Sequence, residues 1–316
     1  MTGIVLWGSN NIFTVQADGE DGNIECRIKG KILKGVETYY NPLAPGDRVV
    51  FERDGVHTGQ GLIISLEKRR NMFTRTNQKG RGRNRSAASQ ILAANVDLAL
   101  CLTTPASPPF RPRFIDRLLV QAEYAGIMPV IVCNKCDLPY DEAVTKRLND
   151  FVRIGYRVLH VSVLTGTGID ALCELVRGKR SVLAGQSGVG KSSLVNTLIP
   201  GAGIKTGRIN EKYDRGNHTT AMSRLMEIPA LTDMKENGQK TFVIDTPGVR
   251  LFVPDGVTAG DIVMYMKEFA SFAGTCAFGL SCTHQNEPGC KIVEAVESGI
   301  IHEDRYKSFL HIRDEI

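Results

Sequence analysis

Hydrophobic runs in the first 67 positions are short and broken by turn residues. GIVLWG, IFTV, IECRI, DRVVFE and GLIISLE are separated by ADGEDGN, NPLAPGD and RDGVHTGQG. Strands of this length with Asp-Gly, Pro-Gly and Gly-x-Gly turns predict a small all-β unit. A five-stranded barrel of the oligonucleotide-binding (OB) type fits the length, and an SH3-like barrel would fit too.

From about 90 to 252 the pattern changes to β-rich runs alternating with amphipathic stretches. The strands are VDLALCLT, PVIVC, RVLHVS, SVLA and TFVID; between them FIDRLLVQAEYAG, AVTKRLNDFVRIG, IDALCELVRG and KSSLVNTLI read as helices. Such alternation predicts an α/β unit with a parallel sheet and helices on both faces. A largely helical tail runs from Pro254 to Ile316, and no internal repeat is visible.

The chain of 316 residues is 42% hydrophobic and 23% charged, enough to bury a core and too apolar for wholesale disorder. No apolar run reaches the roughly 18–20 residues that span a bilayer. MTGIVLWGSNN does not read as a signal peptide, so a cytoplasmic protein is expected, with no membrane partner. Nothing calls for an obligate dimer, and a monomer is expected.

The net charge of +5 is mild, but its distribution is not. Lys68, Arg69, Arg70, Arg75, Lys79, Arg81, Arg83 and Arg85 follow one another without an acidic residue. Gly80, Gly82, Asn71, Asn77 and Asn84 between them argue against a stable helix or strand. A neutral linker would not need this charge density, so a basic arm for a phosphate backbone is expected. The division is therefore barrel 1–67, basic arm 68–89, α/β unit 90–252 and C-terminal unit 253–316.

Within the α/β unit, Gly185-Gln186-Ser187-Gly188-Val189-Gly190-Lys191-Ser192-Ser193 contains G-x-x-x-x-G-K-S between a short strand and a helix. That is the context a phosphate loop requires. Glycines let backbone N–H groups curl toward a phosphate chain at the helix N-terminus. Lys191 would neutralise the β/γ-phosphates and the Ser192 hydroxyl would ligate Mg²⁺.

The loop alone does not name the base. Asn134-Lys135-Cys136-Asp137 follows the strand ending at Cys133, where a base-reading edge belongs. A carboxylate at Asp137 accepts from guanine N1–H and N2–H₂, whereas adenine would leave it unpaired. Such a mismatch is worth on the order of 10⁴-fold, which favours GTP. Ser162-Val163 suits a second base-binding segment.

Asp245-Thr246-Pro247-Gly248 ends another strand, placing Asp245 to hold Mg²⁺ through water and the Gly248 amide to meet the γ-phosphate. In Arg215-Gly216-Asn217-His218-Thr219-Thr220 a threonine, either Thr219 or Thr220, would supply a switch hydroxyl.

The order is reversed from the usual one: the base motif precedes the phosphate loop. A compact domain whose termini lie close together tolerates such a cut and rejoin. The switch carrying Asp245 then runs straight into the C-terminal unit. After Gly248 comes Val249, which cannot orient water as a glutamine would. His218 is the candidate substitute, or else is structural within the switch.

Eight cysteines in a cytosolic chain point away from disulfides. Cys276, Cys282, His284 and Cys290 crowd within fifteen residues, with Gly279, Pro288 and Gly289 between them. Three thiolates and an imidazole make a closed tetrahedral zinc set, with iron–sulfur ligation or unrelated free thiols as the competing readings.

Permuted motif order, a barrel in front and a Cys₃His knot behind resemble the ribosome-small-subunit-dependent GTPases of the RsgA (YjeQ) family. The resemblance extends to R-R-N at 69–71, A-A-N-V-D at 93–97, P-P-F at 108–110 and I-D-R-L-L at 115–119. It implies an OB barrel, a circularly permuted GTPase core and a zinc domain that assist late maturation of the small ribosomal subunit. It also implies contact with that subunit's rRNA and hydrolysis stimulated by the subunit. By motif it assigns nucleotide contacts to Asn134, Lys135, Asp137, Gly185 through Ser193, Thr219 and Asp245. Cys276, Cys282, His284 and Cys290 become zinc ligands. The Cys276–Cys282 interval is one residue longer than is usual, and the switch reads G-N-H-T-T-A where G-R-H-T-T-T is commoner. The rival readings are a GTP-regulated switch on non-ribosomal RNA and a non-enzymatic RNA-binding zinc protein with a vestigial nucleotide site.

Overall fold

The computed structural model describes the chain except residues 10, 21, 31–32, 34–38, 56, 58, 78–87, 205–221, 233–237, 250 and 286. Lys79, Arg81, Arg83, Arg85, His218, Thr219 and Thr220 thus lie outside the described residues.

Five strands, β1 (Thr2–Ser9), β2 (Ile12–Ala17), β3 (Asn23–Ile28), β4 (Arg48–Arg53) and β5 (Gln60–Leu66), close a barrel in the order β1-β2-β3-β5-β4. Inward positions alternate as the period of two demands; Val15, Cys26, Val49, Phe51 and Ile63 have no exposed surface. The β3–β5 pair is parallel and closes the OB-type barrel.

The expectation that the basic segment lacks regular structure is corrected in part. Met72–Asn77 forms β6 and pairs antiparallel with β7 (Ala88–Ala94). Its anchor is Phe73, fully buried with its ring centroid 5.7 Å from that of Phe252. Arg69 and Arg70 are engaged within the protein. Arg69 pairs with the buried Asp47 at 2.7 Å, and Arg70 with Asp97 at 2.5 Å.

The main sheet holds β8 (Leu98–Thr103), β9 (Met128–Cys133), β10 (Arg157–His160), β11 (Arg180–Gly185), β12 (Arg224–Glu227) and β13 (Phe242–Asp245). Its order is β10-β9-β8-β11-β13-β12. All neighbours are parallel except β12, an antiparallel edge the sequence reading did not contain. Arg224 of β12 lies over the Trp7 ring at 5.2 Å and ties the barrel to that edge.

Four helices cover the sheet: α1 (Pro112–Tyr124), α2 (Glu142–Ile154), α3 (Ile169–Val176) and α4 (Lys191–Leu198). Alternate residues of β8 serve opposite faces. Ala99 and Cys101 pack with Leu118 of α1 and Phe151 of α2, whereas Leu98, Leu100 and Leu102 pack with Leu172 of α3 and Val195 of α4. Connections run away from each other on either side of β8 and β11. Their carboxyl ends form the crevice where such folds bind ligands.

The C-terminal unit contains α5 (Lys267–Ala270), α6 (Lys291–Glu297) and α7 (Glu303–Glu315). It is joined to α1 and α2 by buried charges. Arg305, with no exposed surface, reaches Asp116 of α1 at 2.7 Å and Glu268 of α5 at 2.8 Å. Arg147 of α2 bonds the same Asp116 at 3.3 Å and Asp150 at 3.0 Å. No helix among the described residues is long and apolar enough to cross a membrane.

Candidate functional site

The crevice gathers residues from four strands. β11 ends at Gly185 and α4 starts at Lys191, so the loop between them sits at a helix N-terminus. Gly190 has φ +93°, and a Cβ there would lie 2.3 Å from the Asn134 amide nitrogen. A side chain on Gly248 would come within 3.0 Å of both Lys191 Nζ and Ser187 Cα. Both glycines are required by close approach, not by turn geometry alone.

The base motif is fastened onto this loop. Asn134 Nδ2 donates to the Val189 carbonyl at 2.9 Å, and Lys135 Nζ donates to the Gly188 carbonyl at 3.0 Å. Lys135 also donates to the Ser107 carbonyl at 2.6 Å. Asp137 Oδ1 accepts from the Ser162 hydroxyl at 2.5 Å, joining the end of β9 to the segment after β10. The Cys136 N–H donates to the Val161 carbonyl at 3.0 Å, and Asp137 beside it is exposed.

Lys191 is almost fully buried and donates to the carbonyls of Gly185 and Gln186, each at 2.9 Å. Burial pushes its ammonium down to about 8, against the opposing attraction of Asp245. Burial likewise raises the Asp245 carboxyl, with Lys191 opposing. Both shifts describe charges short of compensation. Asp245 Oδ1 and Asn134 Oδ1 are buried without a hydrogen-bond partner among the described residues. A crevice with orphaned acceptors, a poorly compensated lysine and a curled glycine loop fits a Mg²⁺-nucleotide.

Of the sequence-predicted residues, the structure brings together Asn134, Lys135, Asp137, Ser162, Gly185, Gln186, Ser187, Gly188, Val189, Gly190, Lys191, Asp245 and Gly248. Ser192 and Ser193 lie in the first turn of α4, and Val163 follows Ser162. The sequence reading missed the Ser107 carbonyl, although P-P-F beside it was visible. Its role depends on Lys135, 28 positions away.

A second site lies in the C-terminal unit. The ligand atoms of Cys276, Cys282, His284 and Cys290 all fall within 4.8 Å of one another, and all four residues are buried. Cys276 and Cys290 sulfurs are 3.9 Å apart, each 3.5 Å from His284 Nδ1. Zn–S bonds of about 2.3 Å in a tetrahedron demand sulfurs about 3.8 Å apart, so the cluster suits zinc. Between Cys276 and Cys282 the chain makes a 3-10 turn, Gly279–Ser281. The Lys291 N–H points to Cys276 Sγ at 3.3 Å, and Tyr306 donates to the His284 carbonyl at 2.7 Å. Such outer contacts orient ligands.

Comparison with known proteins gives the same outline. The family model described as RsgA GTPase matches residues 66–253. Small ribosomal subunit biogenesis GTPase RsgA of Bacteroides fragilis is 36% identical, over 100% of this chain and 97% of its own. Its namesake in Borrelia recurrentis is 37% identical, over 99% of this chain and 93% of its own. Among solved structures, YjeQ from Thermotoga maritima superposes with a TM-score of 0.71 at 31% identity, covering 99% of this chain and 97% of that one. YloQ, a circularly permuted GTPase, shares the fold at a TM-score of 0.65 and 24% identity, covering 100% and 94%. A permuted crevice with these motifs, matched end to end by such relatives, places the chain in the RsgA GTPase family.

Proposed function

We propose that this chain binds GTP in the crevice and hydrolyses it to GDP and phosphate during biogenesis of the small ribosomal subunit, which accelerates the turnover. The observation that carries this reading is the Asn134–Val189 bond, because it sets the guanine motif and the phosphate loop as one receptor. The names of the full-length relatives support the biological setting.

In this reading Asp137 grips the guanine N1–H and N2–H₂, and Ser162-Val163 lines the other base edge. Gly185 through Ser193 supply backbone N–H groups to the phosphates, and Lys191 leaves its two carbonyls to meet the β/γ oxygens. The Gly248 amide meets the γ-phosphate. Ser192, Asp245 and a switch threonine, Thr219 or Thr220, would hold Mg²⁺, which when bound draws charge off the β- and γ-phosphate oxygens. Val249 offers no hydrogen bond to water, so turnover without the subunit is slow, and His218 is the residue proposed to orient the attacking water. Cys276, Cys282 and Cys290 as thiolates, with His284, would hold a structural zinc. We further propose a cytoplasmic monomer whose barrel and basic segment face rRNA.

The test is GTP turnover with and without purified small subunits, beside ATP as control. Guanine-selective turnover raised by subunits is expected. Stimulation by free RNA and none by subunits would overturn the ribosomal assignment.

A further inference from the structure

Phe110-Arg111-Pro112-Arg113-Phe114 is not used by the nucleotide site. It walls a cavity of about 370 Å³ that Gln186 of the phosphate loop, Leu251 beyond Gly248 and Asp304 of α7 also line. The volume is in the range of small-ligand sites.

Its chemistry is selective. Gln186, 8% exposed, lines it, and its Nε2 has no hydrogen-bond partner among the described residues, whereas Arg117, 7% exposed, is held by Glu315 at 2.6 Å and by the Arg113 carbonyl at 3.3 Å. A buried donor without an acceptor asks for a ligand that carries one. Arg111 and Arg113 stand exposed at the start of α1, whose first turn has no acidic residue, so that end of the cavity is positive. Phe110 is half-buried and presents an aromatic wall. Asp304 lies at the rim and disfavours an anion on its side. Aromatic wall, a buried amide donor and a one-sided positive end match a nucleotide unit: a flat ring with acceptors, joined to a phosphate.

We propose that this cavity receives a single unstacked nucleotide of the small subunit's RNA. The base lies on Phe110, an acceptor of it faces Gln186, and its phosphate is held by Arg111 and Arg113. The inference rests on the ribosomal reading above. Gln186 belongs to the phosphate loop and Leu251 is three residues past Gly248, so an occupied cavity bears on the nucleotide site from behind. That gives the subunit a short physical route to turnover.

The test uses the full chain with a non-hydrolysable GTP analogue and small subunits whose RNA carries 4-thiouridine and 6-thioguanosine. Irradiation should cross-link RNA within residues 105–117. The ratio of stimulated to basal turnover should fall about tenfold in Phe110→Ala, the equivalent of one lost base stack, and recover in Phe110→Trp. Cross-links found only elsewhere, or equal ratios in wild type, Phe110→Ala and Phe110→Trp, would overturn the proposal. Complete competition by millimolar uridine and guanosine monophosphates would overturn the RNA assignment in favour of a free nucleotide. If wild type is not stimulated at all, the ribosomal reading fails, and the mapped cross-link still decides the cavity.

Discussion

The Asn134 amide nitrogen stands 2.9 Å from the Val189 carbonyl, and the space it fills is the space a Cβ on Gly190 would need. One side chain thus fixes the distance between the purine end and the phosphate end of the crevice. Asn134→Ala leaves a buried carbonyl without its donor, which costs about 1–3 kcal/mol. Lower GTP affinity together with a lower Tm is the expected outcome, read by nucleotide titration and thermal unfolding. Unchanged affinity would mean that the bond is incidental.

Asp137 is exposed and, among the described residues, holds the Ser162 hydroxyl on Oδ1, leaving acceptor capacity for a base. In Asp137→Asn one acceptor becomes a donor facing the guanine N2–H₂ donor. GTP affinity should drop by on the order of 10²-fold or more, while xanthosine triphosphate, with a carbonyl at C2, should gain. Competition binding with the two nucleotides distinguishes this from general damage, which would weaken both.

Lys191 carries a pH signature. Its ammonium is pushed down to about 8 by burial in the free protein, and the phosphates of a bound nucleotide would hold it charged well above that. Below pH 8 the lysine is protonated in both states and contributes no slope. Between about pH 8 and the ordinary lysine value near 10.4, binding must take up a proton, so affinity falls as pH rises, by up to about tenfold per unit. Calorimetry at pH 9 in two buffers of different ionisation enthalpy should report uptake near one proton. No uptake, or release, would contradict the arrangement.

Much of this architecture was legible because its signals are local. The glycines of the loop, the Asp245 strand end and the thiol spacing each lie within one short stretch. What the sequence hid depends on partners far along the chain. Met72–Asn77 reads as a polar segment, yet it is a strand because Phe73 meets Phe252 and Thr74 accepts from Gln121 at 3.1 Å. β12 has four residues, too few for a period to show, and it exists as an edge because β13 offers it an open ladder. Arg305 reads as an ordinary charge on a helix face, and nothing near it announces that Asp116, 189 positions away, will bury it.

That buried arginine gives a stability prediction. Arg305→Met leaves Asp116 beside Arg147 alone and strips Glu268 of its partner, both in low-dielectric surroundings. Breaking one side of a buried pair costs about 3–5 kcal/mol, whereas replacing all partners by neutral groups is far milder. Denaturant unfolding of Arg305→Met should show the large loss. The triple variant with Asp116→Asn and Glu268→Gln should recover much of it. Equal destabilisation in both would attribute the effect to packing.

The same junction makes zinc matter beyond its own knot. Cys276, Cys282 and Cys290 pack in one cluster with Phe269 and Phe309, and Phe309 stacks on Phe269 at 5.1 Å. Phe309 lies on α7 four residues from Arg305, whose guanidinium enters the GTPase helices. Ligand convergence does not outlast the metal, so its removal loosens α7 at the very residues that hold Asp116. Elemental analysis should find about one zinc per chain, and Cys276→Ser should lower its retention at least tenfold. Chelation should then lower the Tm reported by a probe in the GTPase sheet, and not only that of the C-terminal unit. A sheet signal indifferent to chelation would show that the buried charges hold without the knot, and the two units would then melt independently.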